Sequence, residues 1–327
     1  MARILWLAFA IAILQTSAVA AAAESVETTD SGELHPTEEP RAWRLLATTG
    51  FETDRGIFDN TDQNSVPLVL RLEYQRWALS FVASALQIDG PASVGPFSIG
   101  GAGTDRLEQF LSDNPGIAPD DIVQAEKADE WGFADSMVSI SYAWYEPESW
   151  LPFIELSAGL KIPTASTRKQ LGTGKFDYLL QADIAENFGR WTPFATFGYR
   201  FNGSSYQPPV LRLTDEAIRN GVDVTLGATY AVPQPIPIRD TALASVGFNY
   251  LASASLFETG AGPTPLYLGL IYDWQENAVA GVPDTHELVG FASFEWNRNL
   301  RIGPYLIVGL SESAPDIGIA TQVTVSY

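Results

Sequence analysis

Two histidines, His35 and His286, and no cysteine are all that the 327-residue chain offers to acid–base or thiol chemistry. A hydrolytic site needs a nucleophile, a base and a group that orients the base. Neither histidine has such partners at a telling spacing, so no catalytic residue is assigned. The run Gly172, Thr173, Gly174 lies between two predicted strands with no helix after it, so it reads as turn chemistry and not as a phosphate cradle. No metal-ligand spacing appears, and no cofactor is expected.

Charges at alternating positions carry more information. Arg71, Glu73, Asp135, Glu155, Lys161, Asp177, Asp183, Arg200, Asp273 and Glu295 each fall on the small or polar side of a segment whose other side is apolar. On one face of a closed sheet, seven carboxylates against three bases can pair into a salt-bridged ladder that packs a narrow interior. They can equally line a constricted pore that mildly prefers cations. Lys161, Asp177, Asp183 and Arg200 sit on successive predicted strands, the fifth to the seventh, and are the first candidates to meet a solute.

The elements that must position them are strands. Leu68, Leu70, Leu72 and Tyr74 alternate with Val69, Arg71, Glu73 and Gln75, and Ile154, Leu156, Ala158 and Leu160 alternate with Glu155, Ser157, Gly159 and Lys161. The same period of two recurs to the end, where Ile317, Ile319, Val323, Val325 and Tyr327 alternate with Gly318, Ala320, Gln322, Thr324 and Ser326. Segments of about ten residues match a tilted strand crossing a bilayer. A soluble sandwich shows the same alternation, but it places its largest rings mid-strand. Here Trp77, Trp144, Trp150, Trp191, Trp274, Trp296 and Tyr327 sit at segment ends.

These patterns predict an all-β fold, an antiparallel transmembrane outer-membrane β-barrel with short periplasmic turns and long extracellular loops. Tight turns are expected at Arg76, 146–150, 189–190 and 297–301, and long loops at 53–65, 89–130, 163–174, 203–220 and 275–286. Thirteen segments can be counted, whereas bacterial single-chain barrels use even numbers. Assigning 221–232 to an extracellular excursion gives twelve strands, the preferred reading; a missed partner would give fourteen. Thr104 to Gly116 carries a helical pattern, read as a lid or plug element within the 89–130 loop.

The first 23 residues predict an export signal, with an apolar run from Ile4 to Leu14 and a small-residue tract from Ala18 to Ala23. Residues 24–40, with Pro36 and Pro40, predict a flexible acidic periplasmic lead-in, and 41–327 the barrel. The Val323, Val325, Tyr327 ending is expected to be the signal read by the outer-membrane barrel assembly machinery. A formal charge of −20 argues against nucleic acid as a partner. The expected partners are the lipid bilayer, lipopolysaccharide and that machinery, with divalent cations as candidates at acidic loops such as Asp120, Asp121 and Asp129. The expected place is the outer membrane of a Gram-negative bacterium.

Several short motifs add a family. Gly132, Phe133 and Asp135 open one strand; Gly159, Leu160, Lys161, Pro163 and Thr164 end the next. Gly172, Gly174 and Asp177 follow, then Tyr199 to Gly203 and the tail from Gly309 to Tyr327. This set resembles the outer-membrane family named for the phenol meta-pathway, whose members are also described as transporters. The resemblance implies a channel or transporter-like barrel for passive passage of small solutes, hydrophobic or aromatic ones included. The alternative is a non-conducting structural or surface-interaction barrel, plugged by its own side chains and the 89–130 loop.

Overall fold

The computed structural model describes residues 43–57, 61–89, 122–123, 130–145, 151–166, 171–203, 205–206, 212–213, 236–253, 258–259, 262–278, 282–297 and 299–327. Twelve antiparallel strands among them close into one barrel. They are β1 (Arg44–Ile57), β2 (Thr61–Tyr74), β3 (Trp77–Asp89), β4 in two pieces (Glu130–Phe133 and Ser136–Trp144), β5 (Phe153–Ile162) and β6 (Asp177–Ala185). Then follow β7 (Trp191–Phe201), β8 (Thr241–Ser253), β9 (Leu266–Gln275), β10 (Thr285–Asn297), β11 (Leu300–Gly309) and β12 (Ile317–Ser326). Each strand pairs with its sequence neighbour. β1 also pairs with β12, from Leu46↔Ser326 to Arg55↔Ile317. Closure removes every sheet edge, as hydrocarbon surroundings require, because an unpaired backbone group there costs several kcal/mol.

Side chains alternate across the wall in the sense opposite to a water-soluble sheet. Ser80, Ser84, Gln63, Ser65, Gln181, Thr196 and Ser245 are buried inside, whereas Leu79, Phe81, Ile140, Leu156, Leu180, Val246 and Ile319 are exposed outside. A polar inside and an apolar outside are what a bilayer selects. Rings mark the two rims. Trp77, Trp144, Trp191 and Trp296 stand exposed at the end that carries Arg44 and Tyr327, with Trp43 stacked on Tyr74 at 4.4 Å. Trp131, Phe133, Phe176, Tyr178, Tyr199 and Phe201 stand at the opposite, loop-bearing end.

The turn at the terminal end between β2 and β3 is only Gln75 and Arg76, bounded by the pair Tyr74↔Trp77. Gln75 takes a left-handed φ of 54°, and Gly189 does the same, at 70°, in the turn before β7. Both tight turns agree with expectation. The loop expected at 53–65 does not. β1 continues to Ile57 and β2 begins at Thr61, with Asp54 paired to Gln63 and a bulge before Ile57↔Thr61. The expected export signal and lead-in, the helical pattern at 104–116, Trp150 and the segment 221–232 lie outside the described residues.

Candidate functional site

β4 is broken for a reason that shapes the interior. Ala85 pairs with Phe133 but Val82 pairs with Met137, so β4 carries one extra residue between those pairs. That is a β-bulge, which re-aims the side chains it contains. Phe133 points outward, yet both Ala134 and Asp135 are buried. Thr164 stitches the bulge to the end of β5: its Oγ1 accepts from Ser136 N–H at 2.8 Å and donates to Ala134 O at 3.2 Å. Backbone groups that the bulge withdraws from the ladder are thereby satisfied.

Asp135, turned inward, meets Lys161. The ammonium lies 3.2 Å from Asp135 Oδ2 and 2.7 Å from Asp177 Oδ2, and it donates to Thr173 Oγ1 at 2.7 Å. One ammonium is thus shared by two carboxylates and a hydroxyl. Each carboxylate also holds a backbone: Asp135 Oδ1 accepts from Ala165 N–H at 3.0 Å and Asp177 Oδ1 from Gly203 N–H at 2.9 Å. The stretches 163–166 and 171–176 are drawn inward by these bonds. Leu171 and Ala165 are buried against Leu86, Ile88 and Ala134. Gly172 is required there, since a Cβ would stand 2.6 Å from both Ala165 Cβ and Asp135 Oδ1. Arg200, at the loop end of β7, is buried within the field of Asp177.

A second group lies toward the terminal end. Arg71 on β2 donates from Nε to Glu73 Oε1 at 2.8 Å and from Nη2 to Glu155 Oε1 at 3.0 Å. β3 and β4 separate β2 from β5, so this pair is a chord through the lumen, passing over Ser80, Ser139 and Ser141. Asp183, directly opposite Glu155, accepts from Gln181 Nε2 at 2.9 Å and Thr196 Oγ1 at 2.7 Å. Glu295 on β10 pairs with Arg301 on β11. Of the ten charges expected inside, Arg71, Asp135, Glu155, Asp177, Asp183, Arg200 and Asp273 are buried, and Glu73, Lys161 and Glu295 are half-buried beside their ion-pair partners. Their pairing is local, around Lys161 and around Arg71, and not one continuous ladder.

Strand register arranges the rest of the wall in two parallel stripes. One row runs Glu155, Asp183, Thr196, Ser245, Asp273, Glu287 from β5 to β10. Two residues along each strand, the adjacent row runs Phe153, Ala185, Phe194, Gly247, Ile271, Val289, Ile307. The first is polar and acidic; the second is an apolar belt in which Tyr305 and Ala320 also pack. Gly247 gives Phe194 its place, since a Cβ would meet the ring at 2.6 Å.

Sequence reasoning missed Glu52, Asp54 and Glu287, all buried inside. Tyr305 Oη donates to Glu52 Oε2 at 2.7 Å across the small Ala320, which pairs with both. Glu287 was legible from the alternation through Val289; Glu52 and Asp54 lay in the stretch read as the end of one strand and a loop. His286, set aside as non-catalytic, shares a 2.7 Å hydrogen bond with Tyr272 at the loop-bearing rim.

No curated protein sequence matches the chain. Among solved structures, an outer membrane channel from Pseudomonas putida F1 superposes with a TM-score of 0.57 at 14% identity, covering 90% of this chain and 100% of that one. The NanC porin gives 0.45 at 8% identity over 86% of this chain and 98% of its own. The CymD monoaromatic hydrocarbon channel gives 0.40 at 11% identity, covering 88% of each chain. The likeness to the first is one of fold, a closed barrel of outer-membrane type. A family model described as "Putative MetA-pathway of phenol degradation" matches residues 56–239. That span holds the bulge, Lys161 with all its partners and the Arg71–Glu155 chord, and since it is more than half of the 327 residues, the chain belongs to this family.

Proposed function

We propose that the barrel is an outer-membrane channel for the passive passage of small amphipathic solutes, each with an apolar body and a polar group. The observation that carries this reading is the pair of adjacent stripes inside the wall. Phe153, Phe194, Ile271 and Ile307 pack in one buried cluster, and a solute that parts these side chains can lay a ring or alkyl surface against them. Its polar group then faces Glu155, Asp183, Thr196 and Ser245. A barrel that only filled itself with side chains would have no reason to segregate the two chemistries by row. Binding sites for small molecules join an apolar lining to a few placed polar groups in the same way. Phenol, which the family's description names, is a solute of this kind.

Passage is narrow in this reading. The Arg71–Glu155 chord and the inward segment held by Lys161 sit at opposite ends of the path, and both depend on charge pairs that a solute or a shift of the stretches 163–166 and 171–176 can loosen. Swelling of proteoliposomes in two membrane-impermeant zwitterions, serine and phenylalanine, tests it. Phenylalanine is expected to enter faster relative to serine than its size alone allows, and Phe194→Ser to abolish that advantage. Rates ordered by size alone, unaffected by Phe194→Ser, would overturn the amphipathic reading. No swelling with either solute would favour the structural barrel.

A further inference from the structure

We propose that Asp273, Glu287, Ser245 and Gln275 recognise the protonated amine of a small amphipathic solute, near the loop-bearing end of β8 to β10; this rests on the amphipathic reading of the two stripes.

The acidic row divides into a satisfied half and an unsatisfied one. Glu155 accepts from Arg71, and Asp183 accepts from Gln181 and Thr196. Further round the wall, Ser245 stands directly opposite Asp273, and Asp273 directly opposite Glu287. Gln275 follows Asp273 by two residues on the same strand and so shares its face. All four are buried, none more than 6% exposed. Ser245 Oγ, Asp273 Oδ1, Gln275 Oε1 and both carboxylate oxygens of Glu287 have no hydrogen-bond partner. Among the described residues no base pairs with either acid. On the other side of Glu287 the opposite residue is Gly309, which brings no side chain. Buried polar groups are seldom left so, and every orphaned atom here is an oxygen that can accept. The missing complement is a donor that carries positive charge.

The barrel itself shows how it holds such a group. Around Lys161 a single ammonium is shared by Asp135, Asp177 and the Thr173 hydroxyl. Asp273, Glu287 and the Ser245 hydroxyl repeat that set of two carboxylates and one hydroxyl, with no ammonium of the chain's own among them. A primary ammonium, with three donors and no acceptor, matches it. A metal ion matches it less well, because among the described residues no three His, Cys, Asp or Glu side chains converge.

The apolar half of the ligand follows from the next row. Two residues along β9 and β10 the same face carries Ile271 and Val289, a direct pair that packs in one cluster with Phe194. An amine whose nitrogen reaches the acids parts these side chains and lays its body among them, so an arylalkylamine gains more than a bare cation.

Titration calorimetry of the full-length folded barrel in non-ionic detergent at neutral pH tests the site with three probes: phenethylammonium, phenethyl alcohol and ethylammonium. Phenethylammonium should bind wild type about tenfold more tightly than phenethyl alcohol, the worth of a charge-assisted hydrogen bond. Asp273→Asn with Glu287→Gln should erase that preference, and Asp62→Asn, at an exposed acid paired to Arg55, should keep it. Equal affinity of wild type for amine and alcohol would overturn the proposal whether or not the double variant folds, and would leave the amphipathic reading standing. A preference that survives in the folded double variant would also overturn it. Ethylammonium binding as tightly as phenethylammonium would overturn both, since the apolar belt would then contribute nothing; so would the lack of saturable binding by either aromatic probe.

Discussion

Arg71 on β2 and Glu155 on β5 meet at 3.0 Å with two strands between them, each side chain less than a tenth exposed. Neither register nor neighbouring turns impose this contact. It exists because the intervening inward positions, Ser80, Ser139 and Ser141, are small. The pair therefore narrows the lumen as well as holding the wall.

Removing one partner should be far worse than removing both. Arg71→Met strands the buried Glu155 without its cation and is expected to cost about 3–5 kcal/mol, whereas Arg71→Met with Glu155→Leu should cost clearly less, since only the more exposed Glu73 then lacks its partner. Urea unfolding in lipid vesicles, followed by tryptophan fluorescence, measures both. Equal losses would mean that the pair is solvated and not a buried chord.

The lipid face has its own signature. Leu180, 53% exposed at the middle of β6, should cost about 2–4 kcal/mol when changed to Arg, because the charge enters hydrocarbon. An exposed leucine on a water-soluble sheet would tolerate the change within about 0.5 kcal/mol. The same vesicle titration separates the two.

Gly172 is the tightest joint of the inward segment. Gly172→Ala should push against Asp135 and Ala165, loosen the Lys161 contacts, and cost about 1–3 kcal/mol as an overpacked site does. The temperature at which the unboiled barrel loses its fast gel migration reads this. Full retention of that temperature would show that the segment yields freely.

Ion selectivity should follow unpaired acids and not paired ones. Asp54→Asn with Glu287→Gln is expected to reduce cation preference more than Asp177→Asn with Asp183→Asn. Asp177 is already offset by Lys161, which keeps Asp135 when Asp177 is changed, and Asp183 is held by two donors that persist toward an amide oxygen. Reversal potentials under a salt gradient decide the order; the reverse order would mean that the Lys161 side of the lumen sets selectivity.

The wall was legible in the sequence where lipid imposes its period. Leu68 to Glu73 and Ile154 to Lys161 read correctly, because a hydrocarbon outside and a polar inside leave no other alternation. Beyond the bilayer that constraint lapses. Thr53, Arg55, Gly56 and Asp62 have the composition of a loop, yet the ladder continues through them, which is why Glu52 and Asp54 escaped. The motif residues Asp135, Lys161, Thr164, Gly172, Asp177 and Gly203 were visible as a family pattern. Their meeting around one ammonium was not, since it depends on a bulge that only the pairing of Ala85 with Phe133 and of Val82 with Met137 reveals.

The most direct test of a lumen that carries traffic is planar-bilayer recording of wild type beside Arg71→Ser with Glu155→Ser, both first shown to be folded by heat-modifiable migration. Discrete openings in wild type, larger in the variant that lacks the chord, are predicted. Silence in both would contradict the account and leave a closed structural barrel in its place.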